Sequence, residues 1–358
     1  MKANKTLTSL FIVFFTITSI SCEESHIELE PVRLELVESE NLPSQANLGK
    51  VLFYDKKLSF NNSISCASCH KQNLAFADNV SLSVGFENVL TERNSLPIQN
   101  VNSFFGFNDL SNNTSFFGGS ILFWDGRESS LESMVIQPIQ NHIEMGYDDM
   151  DELTTKLETI PYYSALFERA YGSSNINTER ISRALSSFVN HINANNTKFD
   201  KYLRGEETLS SEELEGQRLF VNTYECNECH RVESTNGYLF AGTFANIGLD
   251  MNYQDEGRMI VTNNPVDNGQ FKIPNLRNIA LTSPYMHDGR FETLEDVMDH
   301  YSNGVQNNEN LDFRLKDENN EPIKPQITQA EKQSIISFLN TLTDHEMISN
   351  PKLSNPFN

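Results

Sequence analysis

The chain has 358 residues, of which 38% are hydrophobic and 21% charged, and it carries a formal net charge of −22. That length fits two ordinary domains, and that composition fits a globular chain rather than a disordered one. So acidic a chain repels phosphate backbones. This excludes a nucleic-acid partner and suits a basic redox partner, as well as plain solubility.

The first residues read as an export signal. Lys2 and Lys5 precede an apolar stretch from Leu7 to Ile20, with Ser21 before Cys22. The stretch is short and early for a spanning helix. A lone Cys directly after such a core matches the lipid-modified first residue of a bacterial lipoprotein. Ser19 departs from the Leu usual at that point, which keeps ordinary signal cleavage open. The expectation is a signal peptide over 1–22 with Cys22 lipidated, then an acidic tether over 23–44. The mature chain would sit on the periplasmic side of the envelope, held to the membrane by a lipid anchor only.

The other four cysteines form two short motifs, Cys66-Ala67-Ser68-Cys69-His70 and Cys226-Asn227-Glu228-Cys229-His230. Each is a C-x-x-C-H, the pattern that attaches a c-type haem. Two thiols three residues apart can form thioethers to both vinyl groups of one porphyrin. The following imidazole is then held under the ring as proximal iron ligand. A split zinc site needs no His after each pair, and its pairs usually lie closer in sequence. A redox dithiol is not expected twice.

The chain also repeats itself. Gly49-Lys50-Val51-Leu52-Phe53 before the first motif matches Gly216-Gln217-Arg218-Leu219-Phe220 before the second. Trp124-Asp125-Gly126-Arg127 matches His287-Asp288-Gly289-Arg290, and Ser187-Phe188-Val189-Asn190 matches Ser337-Phe338-Leu339-Asn340. Anchors kept in order at similar offsets predict two homologous haem domains, 45–200 and 201–345, followed by a tail over 346–358.

Helices dominate the coarse reading. Thr178 is expected to cap a helix with an apolar face of Ile181, Leu185, Phe188 and Ile192. Ser210 with Glu213 and Thr328 with Glu331 read as capping boxes, and Thr293 as the cap of a helix carrying Met298 and Tyr301. Convincing alternating strands are absent. Residues 100–120 and 303–327, rich in Asn, Ser and Gly, read as long loops. The fold class is mainly α: two cytochrome c-like haem domains in tandem.

Together the two haem motifs, Phe123-Trp124-Asp125-Gly126-Arg127, Ile143-Glu144-Met145-Gly146 and Tyr285-Met286-His287-Asp288-Gly289 resemble the bacterial dihaem cytochrome c peroxidases and their MauG relatives of methylamine utilisation. The resemblance spans roughly residues 45–345. It implies that a haem on Cys66, Cys69 and His70 meets hydrogen peroxide. A second haem, on Cys226, Cys229 and His230, would accept electrons from a cytochrome c or a similar redox protein. His70 and His230 would be the proximal iron ligands. Trp124 would stand between the haems, and Glu144 would be the acid–base above the peroxide haem. One carboxylate can take peroxide's proton and return it to the departing oxygen. The family's calcium between the domains would fall to Asn94, Thr282 and Pro284, through oxygen ligands.

Three departures from the family pattern bear on function. The loop after the first haem motif, Ser83-Val84-Gly85-Phe86, lacks the His that closes the peroxide haem in peroxidases needing reductive activation. The family's distal Gln, ten residues after the Trp, aligns with Met134, and His142 beside Glu144 is either its substitute or a satisfied loop histidine. The Met ligand expected on the second haem aligns with Tyr301, a MauG feature, with Met298 as the alternative. The leading expectation is a dihaem peroxidase that reduces hydrogen peroxide to water. The alternatives are a MauG-like enzyme oxidising a partner protein through high-valent iron, and a non-catalytic dihaem electron carrier.

Overall fold

The computed structural model describes residues 42–101, 121–231 and 244–357, together with the backbone of 108–109, 114–115 and 240–241. The signal peptide, Cys22, residues 23–41 of the tether and most of the 100–120 loop lie outside the described residues. Among those described the fold is mainly helical, as expected. The strand pairings are three ladders of two residues per strand: Asn108–Asp109 with Thr114–Ser115, His230–Arg231 with Phe240–Ala241, and Phe244–Ala245 with Phe271–Lys272. No helix among the described residues is long and apolar enough to cross a membrane.

The helices that build the cores are α1 (Ser44–Tyr54), α2 (Met150–Glu158), α3 (Pro161–Tyr171), α4 (Thr178–Val189), α5 (Lys198–Leu203), α6 (Ser211–Arg218), α7 (Leu294–Asp299) and α8 (Gln329–Asn340). Their ends follow local chemistry. Capping boxes start α6 at Ser210 with Glu213, α7 at Thr293 with Asp296, and α8 at Thr328 with Glu331. Helix α3 begins on Pro161, where a missing N–H costs nothing, and stops at Gly172 in the left-handed conformation. The cap of α4 is Asn177, whose side chain accepts from the Arg180 amide; Thr178, expected as the cap, is the first helical residue. Both residue types cap well, and the extended backbone at Asn177 decides between them.

Two apolar cores result. The first draws on α1 to α4 and includes Phe53, Phe76, Tyr163, Phe167 and Phe188. The second includes Phe199, Phe220, Met298, Phe338 and Leu342. The stretch expected as a tail packs on the first core through Met347 and Leu353, with Tyr54 Oη donating to the Leu353 carbonyl at 2.8 Å.

The sequence repeat reappears as packing. Helix α1 meets α4 so closely that a Cβ on Gly49 would stand 1.9 Å from the Ala184 oxygen and 2.9 Å from Phe188 Cβ. Helix α6 meets α8 in the same way: a Cβ on Gly216 would stand 1.9 Å from the Ser334 oxygen and 2.8 Å from Phe338 Cβ. Only glycine permits backbones this near. Each crossing precedes a Cys-x-x-Cys-His segment in the chain.

Candidate functional site

Both haem motifs lie at the edge of a core. Cys66 packs against the first core and Cys226 against the second. Burial, reinforced by Cys69 and Glu144, pushes the Cys66 thiol up to about 12, and burial pushes Cys69 to about 11 and Cys226 to about 12. A redox dithiol usually has a lowered thiol, and burial raises these instead.

The two histidines are oriented alike. His70 Nδ1 lies 2.9 Å from the Phe76 carbonyl, and His230 Nδ1 lies 3.2 Å from the Pro274 carbonyl. Each carbonyl holds the proton on Nδ1 and leaves Nε2 with its lone pair, the state in which imidazole binds iron. Burial lowers both imidazoles, His230 to about 4, so both are neutral at pH 7. The carbonyl for His70 comes from a strained loop, with Ala75 and Phe76 at φ 54° and 58°. Thioether-forming pairs, neutral imidazoles with free Nε2, and apolar flanks fit a c-type haem at both places.

Glu144 and its surroundings form the second element of the site. A cavity of about 380 Å³ is lined by Phe123, Arg127, Gln137, Pro138, Gln140, Asn141 and Glu144. Burial raises the Glu144 carboxyl, and the Arg127 charge partly opposes the rise. Its Oε1 accepts from Asn141 Nδ2 at 3.3 Å. The Asn141 carbonyl also accepts from the amides of Glu144, Met145 and Gly146, at 2.9–3.1 Å. Asn141 therefore folds the turn that presents Glu144. The loop after the first haem motif clamps this turn from outside: the Phe86 amide donates to the Ile143 carbonyl at 2.7 Å.

Two roles that the sequence leaves open are decided at this cavity. Met134 packs against Leu131, Leu122 and Val101, while Gln137, three residues on, lines the cavity instead. His142 does not stand in for a missing hydrogen bond to Glu144. Its side chain is 71% exposed, with Nε2 2.7 Å from Asp148 Oδ1. The polar groups beside Glu144 are Arg127, Gln137 and Asn141. The first stands in the sequence as part of the repeat and of the family motif with no role assigned, and the sequence assigns no role to the other two either.

Trp124 is partly buried against Leu249, Tyr253 and Phe271. Its Nε1 donates to the Asn94 carbonyl at 2.8 Å, and its own carbonyl accepts from the Lys272 amide at 2.7 Å. Arg93, the neighbour of Asn94, grips Asp255 with two nitrogens at 2.6 and 2.7 Å and Asp125 with the third at 2.6 Å. The residues expected for calcium are buried: Asn94 and Thr282, and Pro284. The described residues hold no cluster of three or more His, Cys, Asp or Glu suited to a metal, so an ion at Asn94, Thr282 and Pro284 would draw on neutral oxygens.

At the second motif, α7 runs on into a π-helical turn, His300–Gly304, that contains Tyr301. Burial raises the Tyr301 phenol, and Tyr301 packs against the same core as Cys226. Met298 lies inside the second core and is 6% exposed.

Comparison with known proteins agrees with this geometry. Residues 43–208 match the family model described as di-haem cytochrome c peroxidase. The chain is 32% identical over 321 residues to the cytochrome c551 peroxidase of Nitrosomonas europaea, covering 88% of this chain and 84% of the relative. It is 31% identical over 303 residues to the methylamine utilization protein MauG of Methylorubrum extorquens, covering 84% and 78%. A solved MauG-like protein associated with microbial copper homeostasis superposes with a TM-score of 0.76 at 30% identity, over 90% of this chain and 95% of that one. The chain belongs to the di-haem family of cytochrome c peroxidases and MauG.

Proposed function

We propose that the chain is a dihaem peroxidase that reduces hydrogen peroxide to water with electrons from a cytochrome c or a similar redox protein. The observation that carries the reading is Glu144. It is a carboxyl raised by burial, facing a polar cavity and close enough to Cys66 and Cys69 for its charge to act on both thiols. Haem at the two motifs supplies the redox chemistry. The chain's own residues bind peroxide and move its proton. Glu144 takes the proton from peroxide and returns it to the far oxygen as the O–O bond breaks. Asn141 holds the carboxyl, and Trp124 lies on the path between the two halves. Glu144→Gln tests the assignment. Peroxide cleavage should fall by about 10²-fold or more, the lower end of the usual range for general acid–base catalysis, with both haems still attached; unchanged turnover would sink it.

Two observations favour a second reading, a MauG-like enzyme that oxidises a partner protein. Tyr301 packs against the same core as Cys226, and the loop over residues 83–86 carries no His. The donor separates the readings: the peroxidase oxidises a reduced cytochrome rapidly, and the MauG-like enzyme does so poorly. The electron carrier would leave peroxide untouched.

Three finer features complete the proposal. The chain consists of two haem domains meeting near residue 200, a reading supported by the two cores and the paired glycine crossings. A calcium binds at Asn94, Thr282 and Pro284, supported by their burial and by the bond from the Asn94 amide to the His287 carbonyl at 2.7 Å. Export to the periplasmic side and a lipid on Cys22 are supported by the Lys2–Cys22 pattern.

A further inference from the structure

The turns at Phe123–Arg127 and Met286–Arg290 share a backbone. Phe123 and Met286 have φ of 64° and 78°, and Gly126 and Gly289 have φ of 64° and 65°. Their arginines differ in what they touch. Arg290 is engaged throughout. Its Nε donates to Asp288, its Nη1 to the Leu249 carbonyl and Asp250, and its Nη2 to Asp250, all at 2.7–3.1 Å. Arg127 instead has its guanidinium carbon over the Phe123 ring, 3.6 Å from its centre, and lines the Glu144 cavity. Its Nη1 donates to Asp125 at 3.0 and 3.2 Å and its Nε weakly to Gln137 Oε1 at 3.4 Å. No described residue accepts from its Nη2.

Asp125 does not cancel the Arg127 charge alone, because it also accepts from Arg93. Arg258 donates to the carbonyls of Asp125 and Gly126 from the other side. Three guanidiniums, Arg93, Arg127 and Arg258, stand against two carboxylates, Asp125 and Asp255. Glu128 accepts from Gln137 Nε2 at 2.9 Å. Arg127 therefore lines the same cavity as Glu144 with its Nη2 claimed by no described residue, and its charge acts on the Glu144 carboxyl.

We propose that Arg127 is the anion-holding group of this cavity. With Asn141 it binds small monoanions there and, in turnover, the oxygen that leaves peroxide with the O–O bonding pair. The proposal rests on Glu144 being the peroxide acid–base. Glu144 takes one proton from peroxide, and the O–O bond then breaks with its electron pair going to the far oxygen. That oxygen regains the proton from Glu144 and departs as water. Two electrons from the donor redox protein and two protons from solvent convert the remaining oxygen to a second water. Negative charge develops on the far oxygen before its proton arrives, and a fixed cation beside it is worth most at that moment.

The test uses the full chain carrying both haems in the ferric state, with fluoride as the anion probe. Fluoride affinity is read from the optical spectrum at fixed pH, and peroxide cleavage by rapid mixing. Arg127→Gln should weaken fluoride binding by about 10- to 100-fold, the worth of one charge-assisted hydrogen bond, and slow cleavage by about 10²- to 10³-fold. Arg127→Lys should restore part of both, since it keeps the charge and loses the fork. Glu144→Gln should lose cleavage and still bind fluoride. Fluoride affinity within about twofold of the parent in Arg127→Gln would overturn the proposal, whatever happens to peroxide. If Arg127→Gln fails to retain haem, Arg127→Lys decides, and parental fluoride affinity in that variant overturns the proposal. Normal cleavage in Glu144→Gln would instead overturn the Glu144 reading, leaving the fluoride result to stand.

Discussion

The indole Nε1 of Trp124 donates to the backbone oxygen of Asn94 at 2.8 Å. Asn94 in turn donates its amide to the His287 carbonyl, and Arg93 beside it binds Asp125 and Asp255. Trp124 and His287 hold the same place in the two repeated turns. Residues 93–94 are therefore a clip joining one turn to the other, and the proposed calcium would sit on that clip. A calcium chelator should lower the melting temperature and change the spectrum of the haem at His230, and added calcium should reverse both. A chelated protein indistinguishable from the parent would remove calcium from the account.

Glu144 predicts a pH dependence. It must be ionised to accept peroxide's proton, and burial raises its pKa above the usual carboxylate range. The rate of reaction with peroxide should therefore rise with pH through a midpoint above the ordinary value of 4.5. The Arg127 charge lowers the Glu144 pKa, so Arg127→Gln should move that midpoint further up. Glu144→Gln should abolish the limb. A limb that persists unchanged in Glu144→Gln would belong to another group.

Tyr301 and Met298 make separable predictions. If the phenol is a ligand of the second haem, Tyr301→Phe should alter that haem's spectrum and raise its reduction potential. Met298→Leu should leave the spectrum alone, since a volume-conserving swap in a core typically costs less than about 1.5 kcal/mol. The opposite pattern would assign the ligand to Met298 and favour the cytochrome-fed peroxidase over the MauG-like enzyme.

The glycine crossings predict stability effects. An added methyl at Gly49 or Gly216 meets a backbone oxygen at 1.9 Å, and backbone cannot yield as a flexible side chain does. Gly49→Ala and Gly216→Ala should each destabilise by about 1–3 kcal/mol or more, the usual range for overpacking. Thermal melting with haem content measured alongside checks this. A melting temperature within about 1 °C of the parent would show that the helices can separate at no cost.

What could be read from the sequence follows from how local each feature is. The haem motifs, the capping boxes at Ser210 and Thr328 and the cap at Thr293 are decided within a few residues, whereas the glycine crossings emerge only when the helices are seen packed. The neighbourhood of Glu144 is not local. Counting ten residues from Trp124 lands on Met134. The short helix Leu131–Met134 turns that side chain to an apolar cluster, and Gln137 comes round to the cavity. His142 is next but one to Glu144 yet points outward, because Asn141 folds the chain between them into a turn. Arg127 was visible as part of a motif. Its difference from Arg290 emerges only when the partners of each are compared in space.

The most direct test of the central claim mixes the as-isolated ferric protein with hydrogen peroxide in the presence of reduced cytochrome c, with optical spectra recorded throughout. A dihaem peroxidase oxidises the cytochrome rapidly, two equivalents per peroxide, and Glu144→Gln abolishes the reaction. Cytochrome that stays reduced while the protein's own spectrum does not respond to peroxide would contradict the account.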